Sequence, residues 1–343
     1  MKKIKYGIIG IGGWATEVHI PIINQIDEAE IAALSSRSPD NLEKGYKLIT
    51  GSPKNFSNYL GLLLEDLDAV IVTTPNHTHA EIVKSALEHD KNVFCEKPLA
   101  TTVEDCNMLL ELARKKGKVL QVGFELRYAP AIVKMKELIA QGEIGKPYLS
   151  FCNVSRRMLS RGWRDSPELT GGMFVELGCH YLDLFGFLLS SRAVKVAAFG
   201  GKIPEHNLID HAYVLIDYDN GTKANMRLNM LSPYLKEVIV GVIGDRGKVE
   251  ADLLNKELTL WQDNFPEYKR SFNFDQGEKE YGFSGTYQQH LDFIHCIRSG
   301  STPKASAEAG CDAVALALAV QEAISRERIV SLEPIQTDCR LKN

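Results

Sequence analysis

Along the first 122 residues, short apolar runs alternate with stretches whose apolar positions recur at helical spacing. Lys5 to Ile9, Glu30 to Ser35, Asn55–Phe56, Asp68 to Thr73, Val93 to Cys95 and Val119 to Val122 read as strands. Helices are expected between them: Trp14 to Gln25, a helix opened by Pro39 and Asp40, Leu60 to Leu64, one carrying Ile82, Val83, Ala86 and Leu87, and Thr102 to Lys116. Thr101-Thr102-Val103-Glu104 reads as a capping box for the last of these. Six strands alternating with helices indicate a doubly wound parallel sheet.

After Gly123 the pattern changes. Ala131 to Gln141 is an amphipathic helix. Tyr148 to Val154, Ala193 to Gly200 and Ala212 to Tyr218 are strand-like. Asn220-Gly221 predicts a hairpin into Lys223 to Leu231, and Gly244 to Gly247 a second between Glu237–Ile243 and Lys248–Ala251. Helices close the chain at Thr286 to Arg298 and Ala307 to Arg326. The expected fold class is α/β: a doubly wound parallel sheet in residues 1–122, then an α+β domain in 123–343 with a large, open, mostly antiparallel sheet. An open sheet leaves one face uncovered. Val238, Val240 and Val242 alternate along one strand and need burial, so a homodimer or homotetramer through this sheet is expected.

The 343-residue length supports two domains, and 44% hydrophobic residues support sizeable cores. A formal charge of −4 with interspersed signs, and no basic tail, argues against a nucleic-acid partner. Seven cysteines, at 95, 106, 152, 179, 296, 311 and 339, show no C-x-x-C spacing, which favours a reducing compartment. Met1 to Lys5 is basic like the start of a signal peptide, but the apolar run after it is short, broken by glycines and leads into Trp14, Glu17 and His19. Ala313 to Val320, singled out as the most apolar later stretch, is too short to span a bilayer. A cytoplasmic protein without a membrane partner is expected.

The chemistry is expected at strand ends. Gly10-Ile11-Gly12-Gly13-Trp14-Ala15 matches G-x-G-x-x-A between a strand and a helix. Its glycines allow a tight turn and let backbone N–H groups approach a pyrophosphate. At the second strand's end, where an NAD site would place a carboxylate, stand Ser36 and Arg37. Hydroxyl and guanidinium favour a 2′-phosphate, so NADP(H) is expected ahead of NAD(H). Thr74-Pro75-Asn76-His77-Thr78-His79 lies at another strand end; its two histidines lack a third ligand nearby, and no metal is expected. Glu96-Lys97-Pro98 ends the fifth strand and offers a lysine of tuned pKa for acid/base work. Farther on, Glu176, His180 and Asp183 are spaced to share one helical face, after Gly171-Gly172. Arg161 to Asp165 concentrates Trp163 with two guanidiniums, suited to covering a nicotinamide ring or holding a polar substrate.

These motifs, with Gly123 to Arg127, fall in an order and spacing that resembles the glucose–fructose oxidoreductase / inositol dehydrogenase / MocA family over nearly the whole chain. The resemblance implies a Rossmann domain followed by an α/β domain. It implies hydride transfer between a nicotinamide and a carbinol or carbonyl carbon of a sugar, inositol or sugar derivative. Lys97 and His180 would be the catalytic pair, and Glu176, Asp183, Arg127 and Tyr181 the substrate contacts. The cofactor site would comprise Gly10, Gly12, Gly13, Trp14, Ala15, Ser36, Arg37, Thr74, Pro75, Asn76, His79, Glu96, Lys97, Trp163 and Arg164. One position departs from the family: four residues before the histidine, Glu176 replaces the usual Asp, which changes the reach of that carboxylate. Two other functions share the fold: an NAD-dependent glycosidase working by transient oxidation, and a non-catalytic nucleotide or sugar sensor. A sensor has no need of Lys97 and His180 together.

Overall fold

The computed structural model describes residues 2–157, 162–232, 234, 236–263, 268–274 and 285–332; Arg161 and Cys339 lie outside them. Six strands form the first sheet: β1 (Ile4–Ile9), β2 (Ala29–Ser35), β3 (Lys54–Phe56), β4 (Ala69–Val72), β5 (Asn92–Cys95) and β6 (Leu120–Val122). Their order is β3-β2-β1-β4-β5-β6, and every pairing is parallel. The chain steps outward from β1 to β3, then restarts at β4 on the other side of β1. Ligands of such sheets bind at the carboxyl ends beside that reversal. Gly10, Ser36, Thr74 and Glu96 all follow carboxyl ends of strands on this edge.

Helices cover both faces. After β1, a π-helical turn at Ala15–His19 runs into α1 (Ile20–Ile23), so this helix ends before Gln25. Next come α2 (Pro39–Lys47), α3 (Tyr59–Leu63), α4 (His79–Glu88) and α5 (Val103–Lys116). The cap of α5 sits one residue later than the capping box placed it. Thr102 Oγ1 accepts from the Asp105 backbone N–H at 3.1 Å and donates to the Asp105 carboxylate at 2.8 Å. Asp105 therefore takes the place the sequence pattern gave to Glu104, because its shorter side chain closes on a hydroxyl directly.

The second half begins with α6 (Pro130–Ala140) and β7 (Pro147–Ser155), then α7 (Pro167–Thr170) and α8 (Cys179–Leu189). Its sheet adds β8 (Ala193–Gly201), β9 (His211–Tyr218), β10 (Lys223–Asn229), β11 (Glu237–Gly244), β12 (Gly247–Asp252), β13 (Glu257–Gln262) and β14 (Tyr268–Asn273). After α9 (Thr286–Ser299) and α10 (Ala307–Arg326), β15 (Val330–Ser331) completes the order β14-β13-β12-β11-β7-β10-β9-β8-β15. Within it only β7 and β10 pair parallel.

One sequence expectation changes here. Val238, Val240 and Val242 are fully buried, in one core with Cys152, Leu182 and Phe185. Their alternation is real, but the chain's own helical layer covers that face. The uncovered face carries Phe199, Tyr213 and Leu215 instead, and Phe199 lies opposite Tyr213 in register. Among the described residues Pro167–Leu189 is long and apolar enough to cross a membrane by length and composition, but 72% of its apolar window is buried in the interior; Ala313 to Val320 lies within α10.

The two halves interlock. Phe293 and Ile294 of α9 join Tyr6, Ile8 and Phe94 in the core on one face of the parallel sheet. The Val122 N–H donates to the Ala305 carbonyl at 2.9 Å, and Gln121 bridges to Ser306 beyond the sheet's last strand.

Candidate active site

The carboxyl edge of the parallel sheet is built from four turns. At the first, Gly10 adopts φ +96°, and a Cβ there would lie 2.7 Å from the Thr74 side chain. Only glycine brings the β1 and β4 turns this close. Gly12 is different: a Cβ on it would meet nothing within 4 Å. Packing within the chain gives no reason for a missing side chain at Gly12; open space over a helix N-terminus does. A nicotinamide dinucleotide fits this observation, since its pyrophosphate needs that space and those backbone donors. Trp14, at the same turn, is half-exposed; Ala15 is buried.

At the second turn, Ser36 hydrogen-bonds locally, its hydroxyl accepting from the Ser38 N–H at 3.2 Å. Arg37 is exposed, and among the described residues no hydrogen bond or ion pair holds its guanidinium. At the third turn, buried Asn76 donates to the Thr170 carbonyl at 3.1 Å and to the Glu176 carboxylate at 2.6 Å. His79 is buried with its ring between the carbonyls of Pro98, at 2.7 Å, and Thr74, at 2.8 Å. Both ring nitrogens are thus engaged by backbone, tying the third turn to the fourth.

The fourth turn carries Glu96 and Lys97. Glu96 Oε1 accepts from Trp14 Nε1 at 3.0 Å and lies 3.0 Å from His19 Nε2, while its Oε2 accepts from the Lys97 N–H at 3.2 Å. Burial alone would raise the Glu96 pKa, but His19, Lys97 and Trp14 reverse that and hold it below the ordinary value. Lys97 Nζ donates to the Glu176 carbonyl at 2.7 Å. Burial alone would lower the Lys97 pKa; Glu176, Cys179 and Glu96 outweigh it, and the ammonium is favoured.

His180 approaches from the second half. A π-helical turn at Phe174–Gly178 precedes α8 and holds Glu176; His180 follows in the first turn of α8. His180 is buried, stacked near Phe124 at 6.5 Å, with Nε2 3.8 Å from the Glu125 carboxylate. Burial lowers its pKa well below 6.5, and the charges of Lys97 and Arg156 lower it further. It is a neutral imidazole near neutral pH. Glu176 is held at both oxygens, by Asn76 and by Arg164 Nε at 3.1 Å, and Arg164 lies over the Trp163 ring at 4.5 Å.

Lys97, Glu176, Asn76 and Arg164 are therefore joined by hydrogen bonds, and the Lys97 charge acts on the buried His180. Three expected substrate contacts do not join them in the same way. Asp183 and Arg127 close on each other through two bonds of 2.7 and 2.6 Å. Tyr181 is fully buried, and its hydroxyl has no partner among the described residues. Sequence reading missed Glu125, His19 and His290. The available signal was a lone histidine or carboxylate, which names no partner.

A parallel sheet with a glycine turn at its carboxyl edge is the arrangement that binds a dinucleotide, and here a buried lysine stands at the same edge. The chain matches the GFO_IDH_MocA family, described as "Oxidoreductase family, NAD-binding Rossmann fold", over residues 4–124. It matches that family's C-terminal alpha/beta domain over residues 136–332. The chain belongs to this family. It is 26% identical to myo-inositol 2-dehydrogenase of Thermotoga maritima, across 97% of this chain and 99% of that one. It is also 26% identical to the NADP(+) D-xylose 1-dehydrogenase of Haloarcula marismortui, across 96% and 93%. Levoglucosan dehydrogenase in complex with NADH and levoglucosan has the same fold, with a TM-score of 0.89 at 19% identity over 97% of this chain and 100% of that one.

Proposed function

We propose that the chain interconverts a carbinol and a carbonyl on a sugar or polyol, with NADP(H) as preferred cofactor and His180 and Lys97 as the catalytic pair. The nicotinamide, when bound, accepts or supplies the hydride. What remains for the protein is to hold the carbinol and manage its hydroxyl proton. A neutral His180 has a lone pair to take that proton and return it in the reverse direction. The Lys97 ammonium stabilises the oxyanion that develops on the same oxygen. The observation that supports this reading is their opposite states: a lysine from one half held charged, and a buried imidazole from the other held neutral, in part by that lysine's charge.

The cofactor preference rests on Arg37, whose guanidinium at the β2 turn has no hydrogen bond or ion pair among the described residues. The substrate class rests on the family and on the inositol and xylose dehydrogenases it contains. One experiment tests both: sugars, polyols and their keto forms, assayed by nicotinamide absorbance with each cofactor. Turnover should appear with NADPH or NADP⁺ on at least one of them. Arg37→Ala should cost NADPH binding about 1.5–3 kcal/mol and leave NADH binding nearly unchanged. NADH binding as tight as NADPH in the wild type would refute the preference, and no turnover across the panel would refute the substrate class.

Two further readings accompany this one. The exposed Phe199, Tyr213 and Leu215 on adjoining strands favour a homodimer or homotetramer through that sheet face. Light scattering at micromolar protein should give a mass of two or four chains; a monomer rules the assembly out. The six described cysteines are all free and buried, in keeping with a cytoplasmic enzyme.

A further inference from the structure

His19 and His290 belong to no role described above, yet they occupy the base of the catalytic turn. His19 closes the π-helical turn behind the glycine loop and is fully buried. Its Nε2 lies 3.0 Å from Glu96 Oε1, and its Nδ1 lies 3.0 Å from Nε2 of His290. His290 comes from α9, in the second half of the chain, and is fully buried as well. Its ring stacks on Phe94 at 5.0 Å, and its Nδ1 has no hydrogen-bond partner among the described residues.

The proton positions follow from the acceptors. Glu96 is ionised and can only accept, so His19 must present an N–H at Nε2. The His19–His290 contact then needs one proton between two nitrogens. If His19 supplied it, His19 would be a buried cation, and the His290 proton would sit at Nδ1 with no acceptor. A buried N–H without an acceptor is costlier than a lone pair left unused. If His290 supplies it, both rings are neutral, and only a lone pair at His290 Nδ1 is left over. Burial holds the His290 pKa well below its ordinary value, in keeping with a neutral ring at that position.

We infer that His290 and His19 are positioning residues: a string of neutral imidazoles, His290 Nε2–H to His19 Nδ1 and His19 Nε2–H to Glu96, that fixes the Glu96 carboxylate beneath the catalytic cleft. Glu96 then has no freedom left. Trp14, His19 and the Lys97 N–H take its lone pairs. Gly123 packs against it so closely that a Cβ there would lie 2.7 Å from the carboxylate. Held this way, Glu96 fixes the Trp14 indole at the mouth of the glycine turn and keeps a negative charge next to Lys97. The string also links α9 to the cofactor-binding edge, so a helix from the second half sets the geometry of a turn in the first.

This inference rests on the reading of Lys97 as a catalytic residue, and its tests are separable from that reading. Nitrogen-15 spectra of the histidine rings test the string without turnover. At neutral pH both rings should be neutral and protonated at Nε2; an imidazolium at either residue, or a proton on His290 Nδ1, overturns it. Steady-state kinetics test the consequence. His290→Phe keeps the stacking ring and removes the donor. It should lower kcat roughly ten- to hundredfold through a displaced reacting geometry, with KM for the sugar within a few-fold. His290→Gln places an amide N–H near the Nε2 position and should recover most of the loss. Wild-type kcat in His290→Phe, or no recovery in His290→Gln, removes the positioning role. Should Lys97→Ala stay active while the spectra show the neutral pair, the catalytic reading fails and the string stands.

Discussion

Helix α8 presents two polar side chains within one turn, and their surroundings could hardly differ more. His180 Nε2 lies 3.8 Å from the Glu125 carboxylate, and burial and the Lys97 charge disfavour its protonation. Asp183, three residues on, is locked to Arg127 by two short bonds, and Arg127 spends a third on the Lys304 carbonyl. Arg127 and Asp183 line a cavity of about 600 Å³ together with Tyr218, Arg192 and Asp312; Lys97, His180 and Glu96 are not in its wall. Around Lys97, one buried side chain is held charged and another, His180, is held neutral, so a proton can still be taken up. At the pair the charges are cancelled within the protein. A buried polar group with every bond made does structural work, whereas one kept neutral beside a cation is ready for proton transfer.

The largest effect should come from the unmatched side. Lys97→Ala and His180→Ala should each lower turnover about 10²–10⁴-fold while still binding NADPH. Acidity sharpens the test. His180 must be unprotonated to accept a proton, and its pKa lies well below 6.5. In the oxidative direction, kcat/KM should therefore hold as pH falls past 6.5 and drop only at more acidic pH. An acid limb centred at or above 6.5, or alanine variants within a few-fold of wild type, would place the acid/base elsewhere.

The matched side should answer in stability instead. Asp183→Ala leaves the Arg127 guanidinium buried without its carboxylate, which costs about 3–5 kcal/mol. Denaturant titration should show that loss, with turnover per folded molecule within a few-fold of wild type. Replacing both partners with apolar residues, Asp183→Leu with Arg127→Met, should restore much of the stability, because no charge is then stranded. Should Asp183→Ala instead keep its stability and raise KM for the sugar, the pair belongs to the substrate site and the contrast drawn on α8 collapses.

How much of this was legible in the chain depends on what kind of signal each residue sends. The strands of the parallel sheet are continuous apolar runs, and the structure alters their ends by only a residue or two. The glycine turn and Glu96-Lys97-Pro98 were equally plain, because their local patterns fix where the backbone goes. Partners across the fold were not. Glu176, His180 and Asp183 share a face only on a regular α-helix, and the π-helical turn at Phe174–Gly178 changes the angle between Glu176 and the other two. Val238, Val240 and Val242 showed correct alternation, but alternation cannot say whether a helix or a second chain covers the apolar face. His19 and His290 are separated by 271 positions, and no local pattern announces such a contact.

Glu176 tests the contrast where it is finest, since it shares features of both sides. It faces the cleft, yet both of its oxygens are engaged, by Asn76 at 2.6 Å and Arg164 at 3.1 Å. Its charge is also the foremost influence holding the Lys97 ammonium against burial. Glu176→Asp shortens the side chain by one methylene, so the carboxylate can no longer span Asn76 and Arg164 together. Glu176→Gln keeps the length, but its amide can accept from only one of those two donors. In both variants either Asn76 or Arg164 loses its acceptor, and the Arg164 strap over Trp163 is held less firmly, at a cost of about 1.5–3 kcal/mol where the charge-assisted bond is the one lost. The expected result is a several-fold rise in KM for the sugar, with kcat within a few-fold of wild type. A loss of kcat as deep as that of Lys97→Ala would make Glu176 a catalytic group. The boundary between matched and unmatched charge would then run through the cleft, with Glu176 and Lys97 acting as one unit, and not along α8.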